Sequence, residues 1–435
     1  MNELRNINEK VAGIDIGSTQ YFVSTDGETV RVYETFTESI KEMICDLKAE
    51  GTTSVAIEAT GILWVSLYDM LEASGIDVCL VNSYHAGNVP AQKTDSKDCR
   101  WLQTLHSYGL LKKSFIPPEE IRELRTYVRQ REELIENAAK EIQHMQRAFE
   151  LMNIKLHNVI SDIKGKSGML VIESILSGEK DPEKLAQHCD LRIKKEKHPM
   201  IVESLKGIYK KEYLFLLKQG YQCYMFFQSQ ITACDKEIET LLKKITSILP
   251  DPPSSKPCPS RHNHPKIEDL HEMLVKISCG GNATVLPGIS DKTMLKLVAE
   301  LGPDLSKWAN VKHFTSWLGL CPWKKQSGKM RRHKRNPAKT KAGQIFWESA
   351  LSIANSKYLA LKGFYHRIKS RKGYKIAIKA TARKLAEIYY RFMTQGFEYV
   401  EKGLIEYERI YKQRMTKNVS KKALALGYAL IPIDS

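Results

Sequence analysis

At 435 residues the chain is too long for one ordinary hydrophobic core, and its 42% hydrophobic content can fill two or three. A formal net charge of +17 argues against an acidic partner-free surface and favours a polyanion, because each phosphate neutralised by Lys or Arg releases condensed counterions. Nine cysteines without a C-x-x-C pair do not make a disulfide scaffold and fit a reducing cytoplasm.

Residues 10 to about 115 alternate strand and helix patterns. Val11–Ile16 is a short apolar run ending in a Gly-Ser turn, which predicts a buried strand. Tyr21–Ser24 and Thr29–Tyr33 flank Asp26-Gly27, a strong hairpin signal. Thr53–Ile57 and Val78–Val81 read as further core strands, so the expected layout is α/β with a mixed sheet. Met1–Lys10 is polar and lacks the apolar stretch of a signal peptide. No run approaches the ~18 apolar residues needed to span a bilayer. The expectation is a soluble, intracellular chain with no membrane partner.

From Ile121 the period changes. Ile121, Leu124, Val128, Ile135, Ala138, Ile142, Met145, Phe149 and Met152 follow 3,4 spacing, interrupted by Arg131. Tyr224, Phe227, Ile231, Cys234, Ile238, Leu241, Ile245 and Ile248 form a second seam. The pair predicts a long antiparallel helical arm, coiled-coil-like, either a plain intrachain bundle or a dimerisation device. Residues 156–205 between them read as a smaller helical cap. Residues 250–265 hold six prolines, which stop any helix and mark a linker or surface loop. Cys258, His262 and His264 lie there but lack the fourth ligand and paired spacing of a zinc site. Residues 270–400 return to helical periodicity, and a charged helical tail closes the chain. The expected domains are 1–115, 116–255 with the cap inserted, 256–400 and the tail 401–435.

Four acids stand out in the first domain. Asp15 sits within an apolar strand, where an unpaired charge is costly to bury. Glu58 ends the strand Val55-Ala56-Ile57-Glu58. Asp95 and Asp98 stand three apart at the start of an expected helix, on one face, with Thr94 as its expected cap. Asp95 and Asp98 taken singly are ordinary helix-start charges that suit the helix dipole. Together, two strand carboxylates and an i, i+3 pair can converge on hard cations. Two Mg2+ ions held there, with Mn2+ as a substitute, could serve phosphodiester chemistry. Asp15-Ile16-Gly17-Ser18-Thr19 before a hairpin also resembles the first phosphate loop of the actin-like ATPases. The second Asp-x-Gly-Thr loop and Gly-rich adenosine loop of those enzymes are missing.

Residues 321–343 contain nine Lys or Arg and no acid. Ser327-Gly328 lies in the middle, expected on a loop or turn tip. A serine hydroxyl needs a base or metal and a cationic clamp to attack phosphorus. Lys324, Lys325, Lys329, Arg331, Arg332, Lys334 and Arg335 could grip phosphates, with His333 another contact. The plainer alternative is a basic loop that binds nucleic-acid backbone, with Ser327 only turning the chain. Upstream, Leu286-Pro287-Gly288-Ile289-Ser290 and the segment Leu295–Gly302 read either as a helix-hairpin-helix element holding a phosphate or as an ordinary capped turn.

Taken in order, Gly13-Ile14-Asp15-Ile16-Gly17, Ile57-Glu58-Ala59-Thr60-Gly61, Lys93-Thr94-Asp95-Ser96-Lys97-Asp98, Leu286-Pro287-Gly288-Ile289, Trp317-Leu318-Gly319-Leu320, Ser327-Gly328 and Lys341-Ala342-Gly343 resemble the DEDD transposases of bacterial insertion sequences, a family that includes the pilin-gene invertase. The resemblance spans roughly residues 10–400. It implies an RNase H-like (RuvC-like) N-terminal domain, a helical arm and a mainly α serine domain. It further implies that Asp15, Glu58, Asp95 and Asp98 bind metal and that Ser327 attacks a DNA phosphodiester. An element-encoded bridge RNA, donor and target DNA, a dimer or tetramer, and a bacterial, nucleoid-associated cytoplasmic location follow from the same resemblance. In the oligomer, the serine of one protomer would complete the acidic site of another. Lys329 stands where the family usually has a second glycine. Two other readings share these residues: a RuvC-like nuclease or resolvase without serine chemistry, and a non-catalytic nucleic-acid-binding scaffold.

Overall fold

The first strand, β1 (Val11–Ile16), alternates two kinds of surface. Ala12, Ile14 and Ile16 point into one core, while Gly13 and Asp15 share the opposite face. In this computed structural model, β1 is the centre of a five-stranded sheet. The structure describes residues 6–82, 95–322, 325–327, 330–332, 339–354, 356, 359–429 and 431. The other strands are β2 (Gln20–Ser24), β3 (Arg31–Glu34), β4 (Ser54–Glu58) and β5 (Asp77–Val81), in the order β3-β2-β1-β4-β5. β1, β2 and β3 are antiparallel neighbours, whereas β4 pairs parallel with both β1 and β5. The mixed sheet expected from the hairpin is therefore present.

Helices α1 (Thr37–Ala49) and α2 (Trp64–Ala73) cover one face, with Ile40, Met43, Leu47, Leu67 and Leu71 packed on Ile14, Ile57 and Leu80. Helix α3 (Asp95–Ser107) covers the other, where Leu102 meets Ala56, Cys79 and Val81. The hairpin differs from expectation at one end. Asp26 accepts hydrogen bonds from the Glu28 and Thr29 amides, both at 2.8 Å, and from the Thr29 hydroxyl at 2.6 Å. Thr29 is thereby drawn into the turn, and the third strand begins at Arg31 instead.

The chain divides at Ile116 into two compact units. The second, from Pro117, is helical apart from one short ribbon among its described residues. Its longest helices, α4 (Glu119–Leu151) and α9 (Lys211–Thr246), run antiparallel: Gly220 lies against Met145, and Asp235 against Arg131. Between them come α5 (Leu156–Val159), α6 (Lys166–Leu176), α7 (Pro182–Ala186) and α8 (Leu191–Ser204). Phe149, Ile154, Ile172, Leu185 and Leu217 join these helices in one core.

Two residues in the seams behave differently from their sequence pattern. Arg131, which interrupts the first seam, is 3% exposed and donates from Nε to Asp235 Oδ1 at 2.5 Å. Asp235 also accepts from the Lys266 amide at 3.0 Å, and Arg131 donates to the Asn263 carbonyl at 3.3 Å. This buried pair holds both long helices and the end of the proline-rich stretch. Ile248, read as the last position of the second seam, is 86% exposed because α9 ends at Thr246.

Beyond the proline-rich stretch lie α10 (Leu270–Ile277), α11 (Asp291–Leu301), α12 (Val311–Trp317), α13 (Lys341–Ile353), α14 (Leu359–Lys372), α15 (Tyr374–Gln395) and α16 (Phe397–Ala425). Phe314, Phe346 and Tyr389 make an edge-to-face aromatic core, which joins α12, α13 and α15. The proline-rich stretch is pinned by polar contacts and holds no metal cluster among the described residues. The Cys258 amide donates to Asp291 Oδ2 at 2.8 Å, and His271 bridges Asp291 (2.6 Å) and Ser255 (2.8 Å).

Candidate active site

Register explains how the two strand acids meet. Ile14 pairs with Ile57 in parallel strands, so the next residues, Asp15 and Glu58, fall side by side at the carboxyl ends of β1 and β4. Parallel partners in register share a face, and neighbouring strands stand ~4.8 Å apart. That face is the one α3 covers.

Gly13 lets α3 approach. A Cβ at this position would stand 2.3 Å from the Cys99 carbonyl oxygen and 2.3 Å from the Gln103 amide nitrogen. Both atoms are backbone and could not yield to a side chain. Helix α3 thus rests directly on β1, and its first turn, with Asp95 and Asp98, projects to the end of the strand where Asp15 lies. The expected Thr94 cap lies outside the described residues.

Asp15 feels the other three acids. Burial pushes the Asp15 carboxyl up to about 6, and the negative charges of Asp95, Asp98 and Glu58 add to the rise. Hydrogen bonding from the Ile16 amide offsets part of it. Among the described residues, no three acid, His or Cys side chains gather tightly enough to enclose a metal ion. The donor chemistry nevertheless suits one: four carboxylates supply hard oxygen donors, and one of them is half-buried. Divalent cations would relieve the repulsion that now raises Asp15.

In the second unit, Ser327 is the last residue of a short strand, β6 (Lys325–Ser327), paired antiparallel with β7 (Met330–Arg332). Ser327 pairs with Met330 at the closing end of this ribbon, in keeping with the expected turn tip, and Lys325 stands opposite Arg332. Arg331 pairs with Gln326. Lys324, Gly328, Lys329, His333, Lys334 and Arg335 lie outside the described residues.

Motif glycines fix the packing of α13, the helix that follows the ribbon in the chain. A Cβ on Gly343 would meet the Leu318 carbonyl oxygen at 2.1 Å, and one on Gly288 would meet the Ser349 carbonyl oxygen at 2.9 Å. Helix α13 is thereby seated on both the Trp317–Leu320 turn and the Pro287-Gly288 turn. Thr340 caps α13 by accepting from the Gly343 amide at 3.1 Å. Ser290, likewise, caps α11.

Two cations in this region of the helical unit were not singled out by the sequence. Lys339 stands 3.8 Å over the Trp347 ring, and burial lowers its pKa. Lys379 is also lowered by burial and lies within electrostatic reach of Cys321 and Lys339. No local pattern marks Lys379, which sits on α15, well downstream of the basic segment.

A mixed sheet with acids at its strand ends, on one chain with a basic helical unit, is the framework of an enzyme that acts on DNA. Two family models bear this out: one for the DEDD transposases of the IS110 type matches residues 12–154, and one for the IS116/IS110/IS902 transposase family matches residues 282–366. The chain belongs to the IS110 family of transposases. No curated protein matches the sequence. No helix among the described residues is long and apolar enough to cross a membrane.

Proposed function

We propose that this transposase cuts and rejoins DNA with two chemical centres, an acidic metal site in an RNase H-like unit and the hydroxyl of Ser327. What supports the reading above all is the convergence of Asp15, Glu58, Asp95 and Asp98, from three separate elements, on one end of the sheet. These four would hold Mg2+, two ions in the fullest form, with Mn2+ as a substitute. Bound there, the ions would supply Lewis-acid stabilisation of charge at phosphorus. Ser327 Oγ forms a bond to phosphorus, the bond from phosphorus to a deoxyribose oxygen breaks, and the serine proton ends on solvent or the departing oxygen. Lys325, Arg331 and Arg332, with Lys324, Lys329, Lys334 and Arg335, grip the flanking phosphates.

Two partners complete the proposal. An element-encoded bridge RNA would select donor and target, which accords with the large positive charge. A dimer or tetramer would bring the serine of one protomer to the acids of another through the coiled-coil arm. In support, α9 has no Asp, Glu, Lys or Arg from Gln219 to Cys234, and Met225 and Phe226 are exposed within that stretch. The Pro287-Gly288 turn before the capped α11 would serve as a helix-hairpin-helix phosphate contact.

Trapping of covalent protein–DNA adducts tests the serine step. Wild type should form an adduct and Ser327→Ala none; strand exchange persisting in Ser327→Ala would leave a RuvC-like nuclease acting through the acids alone.

A further inference from the structure

The C-terminal helix α16 lies wholly beyond both matched stretches, which end at residue 366. It packs beside α14 at a specific point: a Cβ on Gly363 would stand 2.1 Å from the Tyr411 hydroxyl oxygen, so the missing side chain lets the tyrosine lie against the α14 backbone. From this contact a cleft of about 360 Å³ opens between the two helices. Arg367 on α14 and Arg414 and Lys422 on α16 line it, with Met415 and Val419 between them.

Among the described residues the charge of the cleft has no acidic counterpart. Helix α14 contains no Asp or Glu, and neither does α16 from Arg409 to Ala425. Among the described residues, Arg367, Arg414 and Lys422 are exposed and make no ion pair, whereas Arg409, one turn away, is paired with Glu406 at 2.6 Å. On α16, Tyr411, Arg414, Met415, Val419 and Lys422 follow 3,4 spacing, which places them along one face. Three converging cations without an ion-pair partner among the described residues suit a polyanion, and the partly exposed Met415 and Val419 offer apolar contact to sugar carbons.

We infer that the α14–α16 cleft is a second DNA-binding surface, which holds the duplex backbone without reading its sequence. The inference rests on DNA being the substrate, as family membership gives, and not on the metal and serine chemistry. Its function is to add phosphate contacts away from the ribbon and so lengthen the DNA footprint.

The test is equilibrium binding of the full chain to a short duplex of arbitrary sequence, in EDTA so that no cleavage is required. Each lost phosphate contact lowers the log–log salt slope by ~0.9. Arg414→Gln/Lys422→Gln should therefore lower it by ~1.8, and the loss of affinity between about 50 and 200 mM salt should be about tenfold smaller than in wild type. Arg409→Gln removes a cation outside the cleft and should keep the wild-type slope. Arg414→Lys/Lys422→Arg should restore it, and unchanged melting temperatures will show that folding is intact. A wild-type slope in the double glutamine variant overturns the inference. So does a slope that falls for structured RNA but not for duplex DNA. Failure of Asp15→Asn to affect cleavage would refute the metal-site proposal and leave this result untouched.

Discussion

Each unit carries a notable aspartate, and the two are treated in opposite ways. In the helical unit, Asp235 is almost wholly buried, yet Arg131 and the Lys266 amide satisfy its carboxylate. In the sheet unit, Asp15 is only half-buried, but its charged neighbours are three more acids. One carboxylate holds the fold together; the other is held by the fold against its own electrostatics. An arrangement that costs stability and is preserved by backbone packing points to chemistry, whereas a satisfied one points to architecture.

The largest expected effect comes from removing chemistry. Asp15→Asn and Ser327→Ala should each lower strand transfer by at least about a thousandfold, measured in a plasmid recombination assay. The same Asp15→Asn change should raise the melting temperature of metal-free protein at neutral pH, because it removes a repelled charge. A fall in melting temperature would show Asp15 to be structural, like Asp235, and the contrast would collapse.

Asp235→Ala should act in the opposite direction, destabilising the helical unit by ~3 kcal/mol, because buried Arg131 would keep only Glu132, at 4.0 Å, as a charged partner. Replacing both partners, as Arg131→Met/Asp235→Leu, should recover most of that loss in denaturant unfolding. No recovery would mean that the bonds to Asn263 and Lys266 matter more than the pair itself.

Gly13→Ala should cost ~1–3 kcal/mol, towards the upper end because the atoms met are backbone. It should also weaken stabilisation by Mg2+, read as the rise in melting temperature on adding the ion. Loss of stability with full Mg2+ stabilisation retained would separate the packing of α3 from the acid site.

The smallest effect belongs to Asp26. Its carboxyl is lowered from 3.8 to about 2, chiefly by the Thr29 hydroxyl and then by backbone amides. A lowered acid contributes stability above its ordinary value and loses it as pH falls through its folded value. Asp26→Ala should thus lower the melting temperature slightly near neutral pH, with the difference from wild type closing between about pH 4 and 2.

Much of the sheet is legible in the sequence because β1, β4 and β5 are short apolar runs and Asp26-Gly27 makes its own turn. The acids were legible for a related reason: Asp15 is conspicuous in an apolar strand. Their proximity was not, since it depends on the Ile14–Ile57 register and on α3 lying over Gly13, both long-range facts. Arg131 reads as a break in a seam until Asp235, more than a hundred residues on, supplies its partner. Ile248 fits the helical period that the chain no longer follows after Thr246. Ser327 is conspicuous for its basic neighbours and the Ser-Gly step marks a turn, but the short strands on either side carry no apolar alternation to reveal them.

The contact at Gly13 has a mechanical consequence. Side-chain packing yields by rotamer changes, but here two stretches of main chain meet with nothing between them. The first turn of α3 is therefore set against the sheet by a hard stop, and the separation of Asp98 from Asp15 is insulated from substitutions elsewhere in that core.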